Sequence, residues 1–464
     1  MHRLVFTIFI LKALCLIAAE AVSNGQCSGI SEEVGCTECT SGGYCMAGKV
    51  PVDPWFSFAA KTQRELQIDE PWNNLQLLDA HNAYNARVFG YGNNDTCNWP
   101  PPYDNNFCWT FANQVFSLTD LLNMGIRGLE IDFWWCADGA MRMAHLANGV
   151  GCRPTDRLYS DGIKEIGDWL NQPGNQQDML RIYLNEKEDQ GHDDEVHGPL
   201  EEFLGDRILT PSELRDEYGG VWPTMKHMRK VGKNIVIAAS GEAYTHGDVY
   251  IHRRYWKDVG VNSFTNYPGC GVKNATNTLR YFSDGTHYGP FYDGVTDTGI
   301  ILDFTEFVKC RVEYPATDFI TPDVVKTAIF TWAEGQPSEP LDADSCVWIS
   351  KTDWRWYLSD DCSIELYHAC QSLNDPDDWT ISSSPGPYRP ITAECPTGYA
   401  FSVPQDGYRT QKLRESSGGN SLWLNYTPWL PEPVGSTAPS SNVSTCLSSL
   451  LFLATLGVVK MLIE

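Results

Sequence analysis

Two carboxylates stand inside an otherwise hydrophobic stretch. "NMGIRGLEIDFWW" (123–135) reads as a buried strand, yet it contains Glu130 and Asp132, two residues apart. Alternation along a strand puts both side chains on one face, about 7 Å apart. Two like charges in that position repel unless a positive group lies between them. Carboxylates are also the ligands that a hard divalent cation such as Ca²⁺ prefers.

Other polar side chains occur where hydrophobic runs end. His81 and Asn82 follow "NLQLLDA", and Asn185 and Glu186 follow "DMLRIYL". An amide oxygen from Asn82 and an oxygen from Glu186 or Asn185 would complete a cation site that leaves positions open for substrate. A metal ion held in this way is a Lewis acid suited to phosphoryl transfer.

Two histidines flank this proposed site. His81 precedes Asn82, and His145 follows Asp132 by thirteen residues. Beside a metal-bound phosphodiester they could act as general acid and phosphate-stabilising donor.

A different interpretation explains the same residues without a metal. Glu130 and Asp132 could pair with a buried arginine, and three arginines stand near in sequence: Arg127, Arg142 and Arg181. The histidines could be packing residues. The residues alone therefore predict an acidic metal site with two histidines, or a charge-paired core, and they name no substrate.

The elements that position these residues alternate along residues 51–340. Strand-like runs occur at 74–82, 125–135, 178–188, 232–240 and 299–304, and a helical pattern covers 161–172. The near-continuous apolar runs are typical of parallel sheets. The alternation predicts an α/β fold, a (β/α)8 TIM-type barrel, which carries its chemistry at the carboxyl ends of the strands.

Cysteine usage indicates an oxidising compartment. Of the sixteen cysteines, Cys15 and Cys446 lie in terminal segments, which leaves fourteen, an even number, in local clusters. Cys36 and Cys39 have a spacing that zinc sites also use, but disulfides suit a secreted chain better. Three glycosylation sequons agree with secretion and begin at Asn94, Asn274 and Asn425.

Both ends of the chain carry targeting patterns. Residues 1–21 are predicted to be a signal peptide, because the apolar run from Leu4 to Ala19 is too short for a membrane span. Residues 447–464 are hydrophobic and follow a small, polar linker at 431–446, which predicts a GPI-anchor signal. A single-pass helix is the alternative, although the run is short and lacks basic residues after it. The expected location is extracellular, on the plasma membrane.

Two further segments flank the barrel. Residues 22–50 are predicted to be a Cys-rich, disulfide-held segment, and residues 341–430 a β-rich appendage held by disulfides and rich in tryptophan. The net charge of −25 argues against nucleic acid as a partner, because phosphate binding needs a basic surface. It suits a site that concentrates a divalent cation.

Three segments resemble the X-domain of the phosphatidylinositol-specific phospholipase C family. They are "LLDAHNAYNAR", "GIRGLEIDFWW" with "MRMAHL" after it, and "FLGDRILTPSELRDEYGGVWPTMKHMRKVGKNIVIAA" (203–239). The resemblance covers roughly residues 70 to 335. It implies a (β/α) barrel and a phosphoric diester hydrolase, and the overall arrangement is similar to secreted microbial members.

The resemblance also implies a role for each site residue. His81 would stabilise the phosphoryl group, and His145 would act as general acid or second phosphate ligand. Ca²⁺ would be held by Asn82, Glu130, Asp132 and, after a small register shift, Glu186; Glu130 would also assist as base. Bacterial members place an arginine where Asp132 stands, so this chain is expected to need a separate cation.

The expected function is the cleavage of a phospholipid or glycolipid phosphodiester at a membrane surface. Ala238, Ala239 and Ser240 stand where intracellular members carry phosphate-binding lysines, so a polyphosphorylated headgroup is not expected. Glycerophosphodiesters and sphingolipids stay open as substrates. The alternative is a non-catalytic, GPI-anchored adhesion protein that uses the same barrel.

Overall fold

The computed structural model describes the greater part of the chain between residues 26 and 428. The described ranges are 26–28, 30–43, 45–91, 112–144, 156–185, 187–188, 191–240, 249–271, 277–283, 301–342, 344–388 and 394–428. Residues up to Tyr426 belong to one compact unit, and Thr427 begins a second. The predicted signal peptide, the linker and the hydrophobic tail lie outside the described residues, as do His145 and Glu186.

The first half of the described chain supplies a three-stranded sheet and half of a parallel, eight-stranded sheet. Its strands are β1 (Asp79–Ala80), β2 (Gly128–Glu130), β3 (Phe133–Trp135), β4 (Met141–Met143), β5 (Leu180–Leu184), β6 (Lys187–Glu188) and β7 (Ile235–Ala239). Its helices are α1 (Ile30–Glu33), α2 (Pro54–Glu65), α3 (Leu118–Met124), α4 (Tyr159–Leu170), α5 (Asp193–Phe203), α6 (Pro211–Asp216) and α7 (Met225–Lys230). The 3-10 turns are Trp72–Asn74, Arg87–Phe89 and Gly205–Arg207.

The second half completes that sheet and adds another. Its strands are β8 (Ile251–Arg253), β9 (Lys257–Gly260), β10 (Leu279–Phe282), β11 (Tyr314–Thr317), β12 (Cys346–Ile349), β13 (Trp356–Ser359), β14 (Tyr367–Ser372), β15 (Trp379–Ile381), β16 (Tyr399–Phe401) and β17 (Leu422–Leu424). Its helices are α8 (Thr305–Lys309), α9 (Pro322–Ala328) and α10 (Gly407–Ser416), with a 3-10 turn at Val261–Ser263.

Eight parallel strands form the barrel. Their order is β8-β7-β5-β2-β1-β11-β10-β9, and every neighbouring pair is parallel. Tyr183 on β5 lies 4.9 Å, ring centre to ring centre, from Trp256, which directly precedes β9. Strands five positions apart in a flat sheet would be about 24 Å apart, so this contact requires a curled sheet. The predicted α/β, TIM-type barrel is confirmed as an open, curled eight-stranded sheet.

The segment that carries the two carboxylates is not one continuous strand. β2 belongs to the barrel and ends at Glu130, whereas β3 pairs with β4 and β6 in a separate three-stranded sheet. Asp132 lies in the two-residue link between them and is fully buried. The prediction of a single strand is therefore wrong at this link, where the chain leaves the barrel sheet for the smaller one.

Two other predicted elements had different outcomes. The helix predicted at 161–172 is confirmed as α4. The strand predicted at 299–304 is wrong over residues 301–304, which form no strand and lead into α8. The Ile301 N–H donates to the hydroxyls of Thr317 (3.0 Å) and Ser283 (3.4 Å) instead of to a neighbouring strand. Ile301 and Phe304 are buried whereas Leu302 is exposed, and the run was too short to separate a strand from a loop.

Disulfides hold both flanking segments, as the sequence predicted. The five described pairs are Cys27–Cys39, Cys36–Cys45, Cys270–Cys310, Cys346–Cys362 and Cys370–Cys395. Among the described residues, the group of side chains close enough to share a metal ion is Cys27, Cys36 and Cys39. All three are consumed in disulfides, which disfavours the zinc interpretation of this segment.

The appendage is a six-stranded sheet packed against the barrel. Its order is β13-β12-β17-β14-β15, with β16 also paired to β14, and every pair is antiparallel except β14 with β17. Trp332 of the barrel stacks edge-on against Trp356 of β13, with ring centres 5.7 Å apart. Arg311 also crosses the boundary and pairs with Asp377 and Asp406.

None of the helices in the described part of the chain is long and apolar enough to cross a bilayer.

Candidate active site

The predicted site residues that are described lie at the carboxyl ends of barrel strands. His81 and Asn82 follow β1, Glu130 ends β2, and Asn185 follows β5. This is the end of a parallel barrel where catalytic side chains collect. His81, Asn82 and Glu130 are at least 96% buried. Asn82 has a left-handed backbone (φ 42°), which a non-glycine residue keeps only when its surroundings hold it.

His81 is paired with Asp318, a residue that sequence reasoning missed. β1 and β11 are parallel neighbours with Ala80 opposite Thr317, so the next residues, His81 and Asp318, leave the sheet side by side. The His81 Nδ1–H donates to Asp318 Oδ1 over 2.7 Å, and the Asp318 side chain is fully buried. A carboxylate can only accept, so it favours the tautomer in which Nε2 is unprotonated and able to take a proton.

The positive group beside Glu130 is Arg280 on β10. Its guanidinium donates to Glu130 Oε2, and both side chains are buried. The three arginines considered from the sequence pair with other carboxylates: Arg127 with Asp178, Arg142 with Asp138, and Arg181 with Asp79. The charge-pairing interpretation was therefore right in kind for Glu130, but the sequence pointed to the wrong arginines.

Arg280 also joins β1 to β10. Its Nε donates to Asp79 Oδ2 over 2.7 Å, and Arg181 donates to the same oxygen. The Arg181 guanidinium lies 4.3 Å from the ring centre of Trp256 and 4.2 Å from that of Tyr314. These contacts fill the barrel interior with paired charges and aromatic faces and leave Arg280 next to the reactive end of the barrel.

Gly128 leaves room for this network. It faces Asp79 across the β1–β2 pair, and a Cβ added to Gly128 would lie 2.5 Å from Asp79 Oδ1. Any larger residue would push Asp79 away from its two arginines. Packing against the Asp79 carboxylate therefore explains why residue 128 is a glycine.

Burial and charge act on Glu130 in opposite directions. Burial raises the pKa of Glu130 above its ordinary value, although the neighbouring Arg280 and His81 lower it. The His81 Nε2 lies 3.9 Å from Glu130 Oε2. Burial lowers the pKa of Arg280, but Glu130, Asp79 and Asp258 outweigh it and hold that pKa well above the ordinary value. Arg280 is thus a permanent positive charge bound to the Glu130 oxygen that lies 3.9 Å from His81 Nε2.

The expected calcium ligands fit a metal only in part. Asn82 Oδ1 is buried and has no hydrogen-bond partner among the described residues, which suits a ligand atom. Asp132 is fully buried. Glu130, in contrast, is already bound by a guanidinium, which would repel a cation placed on the same carboxylate. Asn185 Oδ1 accepts from the Tyr183 hydroxyl over 2.6 Å.

A polar network supports the two loops that carry His81 and Asp318. Asn113 Nδ2 donates to Asp318 Oδ1 over 3.1 Å, and Gln114 Nε2 donates to the backbone oxygen of His81 over 2.7 Å. Both residues are buried. Sequence reasoning missed them because they lie outside any strand and outside every motif. Asp318 and Arg280 offered a usable signal: a charged residue in or directly after an apolar strand of the barrel.

Comparisons with known proteins give remote similarities. No protein-family model matches the chain. An uncharacterized protein of Mycobacterium tuberculosis is 21% identical over 410 residues, which cover 80% of each chain. Maintenance of telomere capping protein 6 of Meyerozyma guilliermondii is 28% identical over 170 residues, 35% of this chain and 28% of that protein.

Among solved structures, the phosphatidylinositol-specific phospholipase C of Listeria monocytogenes is similar over 57% of this chain and 97% of its own, with 14% identity and a TM-score of 0.39. A variant of the same enzyme from Staphylococcus aureus matches over 59% and 98%, with 12% identity and a TM-score of 0.36. Similarities this low leave the function to be inferred from the site residues.

Proposed function

We propose that this chain is a phosphoric diester hydrolase that cleaves a phospholipid-type phosphodiester. The observation that carries the proposal is the His81–Asp318 pair at the carboxyl end of the barrel, with Glu130 3.9 Å from His81 Nε2 and Arg280 bound to that same Glu130 oxygen. A base and a fixed cation on either side of one carboxylate oxygen are the groups that displacement at phosphorus needs. The resemblance of "LLDAHN" and "GIRGLEID" to the phospholipase C family supports the same reaction.

The mechanism follows from what each group can do. His81 Nε2 takes the proton from a substrate hydroxyl next to the phosphate, and that oxygen attacks phosphorus. Arg280 stabilises the negative charge that develops on the phosphoryl oxygens. The bond from phosphorus to the lipid alkoxide breaks, and His145, from outside the described residues, is proposed to protonate the leaving oxygen. The products of this step are a cyclic phosphodiester and a lipid alcohol. Attack of water on the cyclic phosphodiester, with the two histidines in exchanged roles, would complete the hydrolysis.

Calcium is a separate proposal. If bound, it would be held by oxygens of Asn82 and Asp132, with Glu186 or Asn185 beside them, and it would supply Lewis-acid polarisation of the phosphate. Glu130 could bind the cation only if its contact with Arg280 were broken. The steps above use the protein's own groups and route nothing through the metal.

Secretion, a GPI anchor and action at the outer membrane surface are proposals too. Disulfides in both flanking segments support an oxidising compartment. The residues that would carry the signal peptide and the anchor lie outside the described part of the chain.

A substrate panel tests the proposal. The full chain, produced in a secretory host, is incubated with vesicles of phosphatidylinositol, sphingomyelin or phosphatidylcholine and with glycerophosphoinositol, and water-soluble products are identified by mass spectrometry. We expect a cyclic phosphodiester from at least one of these substrates. We expect no such product from the His81→Gln variant when it is folded as well as wild type. Folded wild-type protein that cleaves none of these substrates would contradict the hydrolase proposal and favour the adhesion alternative.

A further inference from the structure

We propose that Asn113 is a positioning residue that sets the hydrogen-bonding polarity of the site. It holds Asp318 against His81 and turns the Asn82 amide so that its oxygen, not its nitrogen, is left to bind a ligand. The catalytic meaning of this inference rests on the proposed function, whereas the hydrogen-bond chain itself does not.

The chain of hydrogen bonds starts at Asp318, which can only accept. One of its oxygens, Oδ1, receives both the His81 Nδ1–H (2.7 Å) and the Asn113 Nδ2–H (3.1 Å). The Asn113 amide cannot be turned the other way, because its oxygen would then face a carboxylate oxygen. Asp318 therefore fixes the orientation of the Asn113 side chain.

The orientation of Asn113 fixes the next amide in turn. Asn113 Oδ1 accepts from Asn82 Nδ2 (3.2 Å) and from Asn85 Nδ2 (2.8 Å). With its nitrogen used in this way, Asn82 has only Oδ1 left, and that buried atom has no hydrogen-bond partner among the described residues. Leaving a buried acceptor unsatisfied is costly, which favours a ligand that supplies a donor or a positive charge. A substrate hydroxyl or a cation meets that need, and an anionic oxygen does not.

Hydrogen bonds to backbone atoms tie the loops that carry His81 and Asp318 to residues 113 and 114. The Asn113 carbonyl accepts from the N–H of Phe319 (2.7 Å), which follows Asp318 and has a left-handed backbone (φ 51°). Gln114 Nε2 donates to the carbonyls of His81 (2.7 Å) and Thr317 (3.0 Å). The two strained positions of the site, Asn82 and Phe319, are thus both held through Asn113.

The test measures the tautomer of His81 by ¹⁵N NMR of histidine-labelled full chain, with the His81→Gln spectrum identifying the signal among ten histidines. In the neutral imidazole of wild type we expect the hydrogen on Nδ1, where Asp318 accepts it. Asn113→Leu removes the amide that holds the Asp318 carboxylate in place, so the tautomer with the hydrogen on Nε2 should appear in its spectrum. In the same variant kcat should fall with KM little changed.

Asn85→Leu is the matched control. Asn85, like Asn113, is buried, and its amide donates to Asn113 Oδ1. The substitution removes that hydrogen bond and leaves the hydrogen bond from Asn113 to Asp318 in place. The His81 tautomer should stay as in wild type in this variant. If Asn113→Leu does not fold, Asn113→Ser serves, and its spectrum should also show the tautomer with the hydrogen on Nε2.

Two results would overturn the inference: a wild-type His81 tautomer in the folded Asn113 variant, or the same change of tautomer in both the Asn113 and the Asn85 variants. The NMR readout needs no substrate. A wild-type protein that is inactive on every phosphodiester would therefore remove the proposed function without deciding the role of Asn113.

Discussion

Replacing Arg280 by methionine should leave Glu130 as a buried charge without its partner. Asp79 would keep Arg181, and Asp258 would keep Arg254, because those pairs do not involve Arg280. Glu130, 1% exposed, would keep His81 as its positive or polarisable neighbour among the described residues, with Nε2 3.9 Å away. Removing one member of a buried pair costs about 3–5 kcal/mol, so Arg280→Met should lower the free energy of unfolding by about that amount at pH 7.5.

The pH dependence of this loss has a defined sign. Burial already raises the pKa of Glu130 in the folded state, and loss of Arg280 removes a group that lowers it, so the pKa should rise further. An acid whose folded pKa lies above its unfolded value destabilises the protein in its ionised form, above the folded pKa. The penalty should therefore shrink as the pH falls through the folded pKa and be smallest near the unfolded pKa of about 4.3.

Urea unfolding at pH 7.5 and pH 5, followed by tryptophan fluorescence, measures both effects. The double variant Arg280→Met/Glu130→Gln should recover most of the loss, because no buried charge is then left alone. Arg215→Met, which breaks an exposed pair with Asp216, should leave the unfolding midpoint unchanged. A double variant no more stable than Arg280→Met alone would refute the pairing of Glu130 with Arg280. Recovery of Arg280→Met by added Ca²⁺ would show that a metal can take its place.

Three further outcomes are expected. Asp318→Asn should lower kcat by at least about 100-fold with KM little changed, because the proton-accepting tautomer is no longer favoured; unchanged kinetics would remove Asp318 from the site. Burial raises the pKa of Asp120 to about 6, so its ionised form destabilises the fold above that pH. Asp120→Asn should then be more stable than wild type at pH 7, by up to about 3 kcal/mol, and equal to it near pH 4; thermal unfolding across this pH range checks the convergence. Gly128→Ala should cost about 1–3 kcal/mol in urea unfolding, because its Cβ meets Asp79, and a neutral result would show that Asp79 can move freely.

The parts of the fold that the sequence predicted are those with strong hydrophobic patterns. The apolar runs around Ile182 and Ile237 became β5 and β7, and the amphipathic stretch near Ile166 became α4. β10 was missed, because it is four residues long and carries Arg280 in its middle. A charged residue in a barrel strand weakens the pattern that identifies the strand.

The site was only half predictable for a similar reason. His81, Asn82, Glu130 and Asp132 stand next to the strands that carry them, so motif and spacing locate them. Motif and spacing do not locate their partners, because Asp318 is 237 residues from His81 and Arg280 is 150 residues from Glu130. Only the pairing of β1 with β11, and the curling that brings β10 over β2, puts these groups in contact.

The position of the positive charge has a consequence for the metal question. Sequence reasoning expected a cation because bacterial members carry an arginine where this chain has Asp132. In the structure an arginine reaches the neighbouring carboxylate from β10 instead. A fixed guanidinium at Glu130 can supply charge without a bound ion, so we expect turnover to depend weakly on calcium.

Phosphorus NMR of phosphatidylinositol micelles mixed with the full chain is the most direct test of this account. One sample contains Ca²⁺ and the other contains EGTA. We expect a cyclic inositol phosphate signal in both samples, lost in His81→Gln and strongly reduced in Asp318→Asn. A signal only in the Ca²⁺ sample would contradict the role given to Arg280. No signal in either sample from a protein that is folded would contradict the assignment of phosphatidylinositol as substrate.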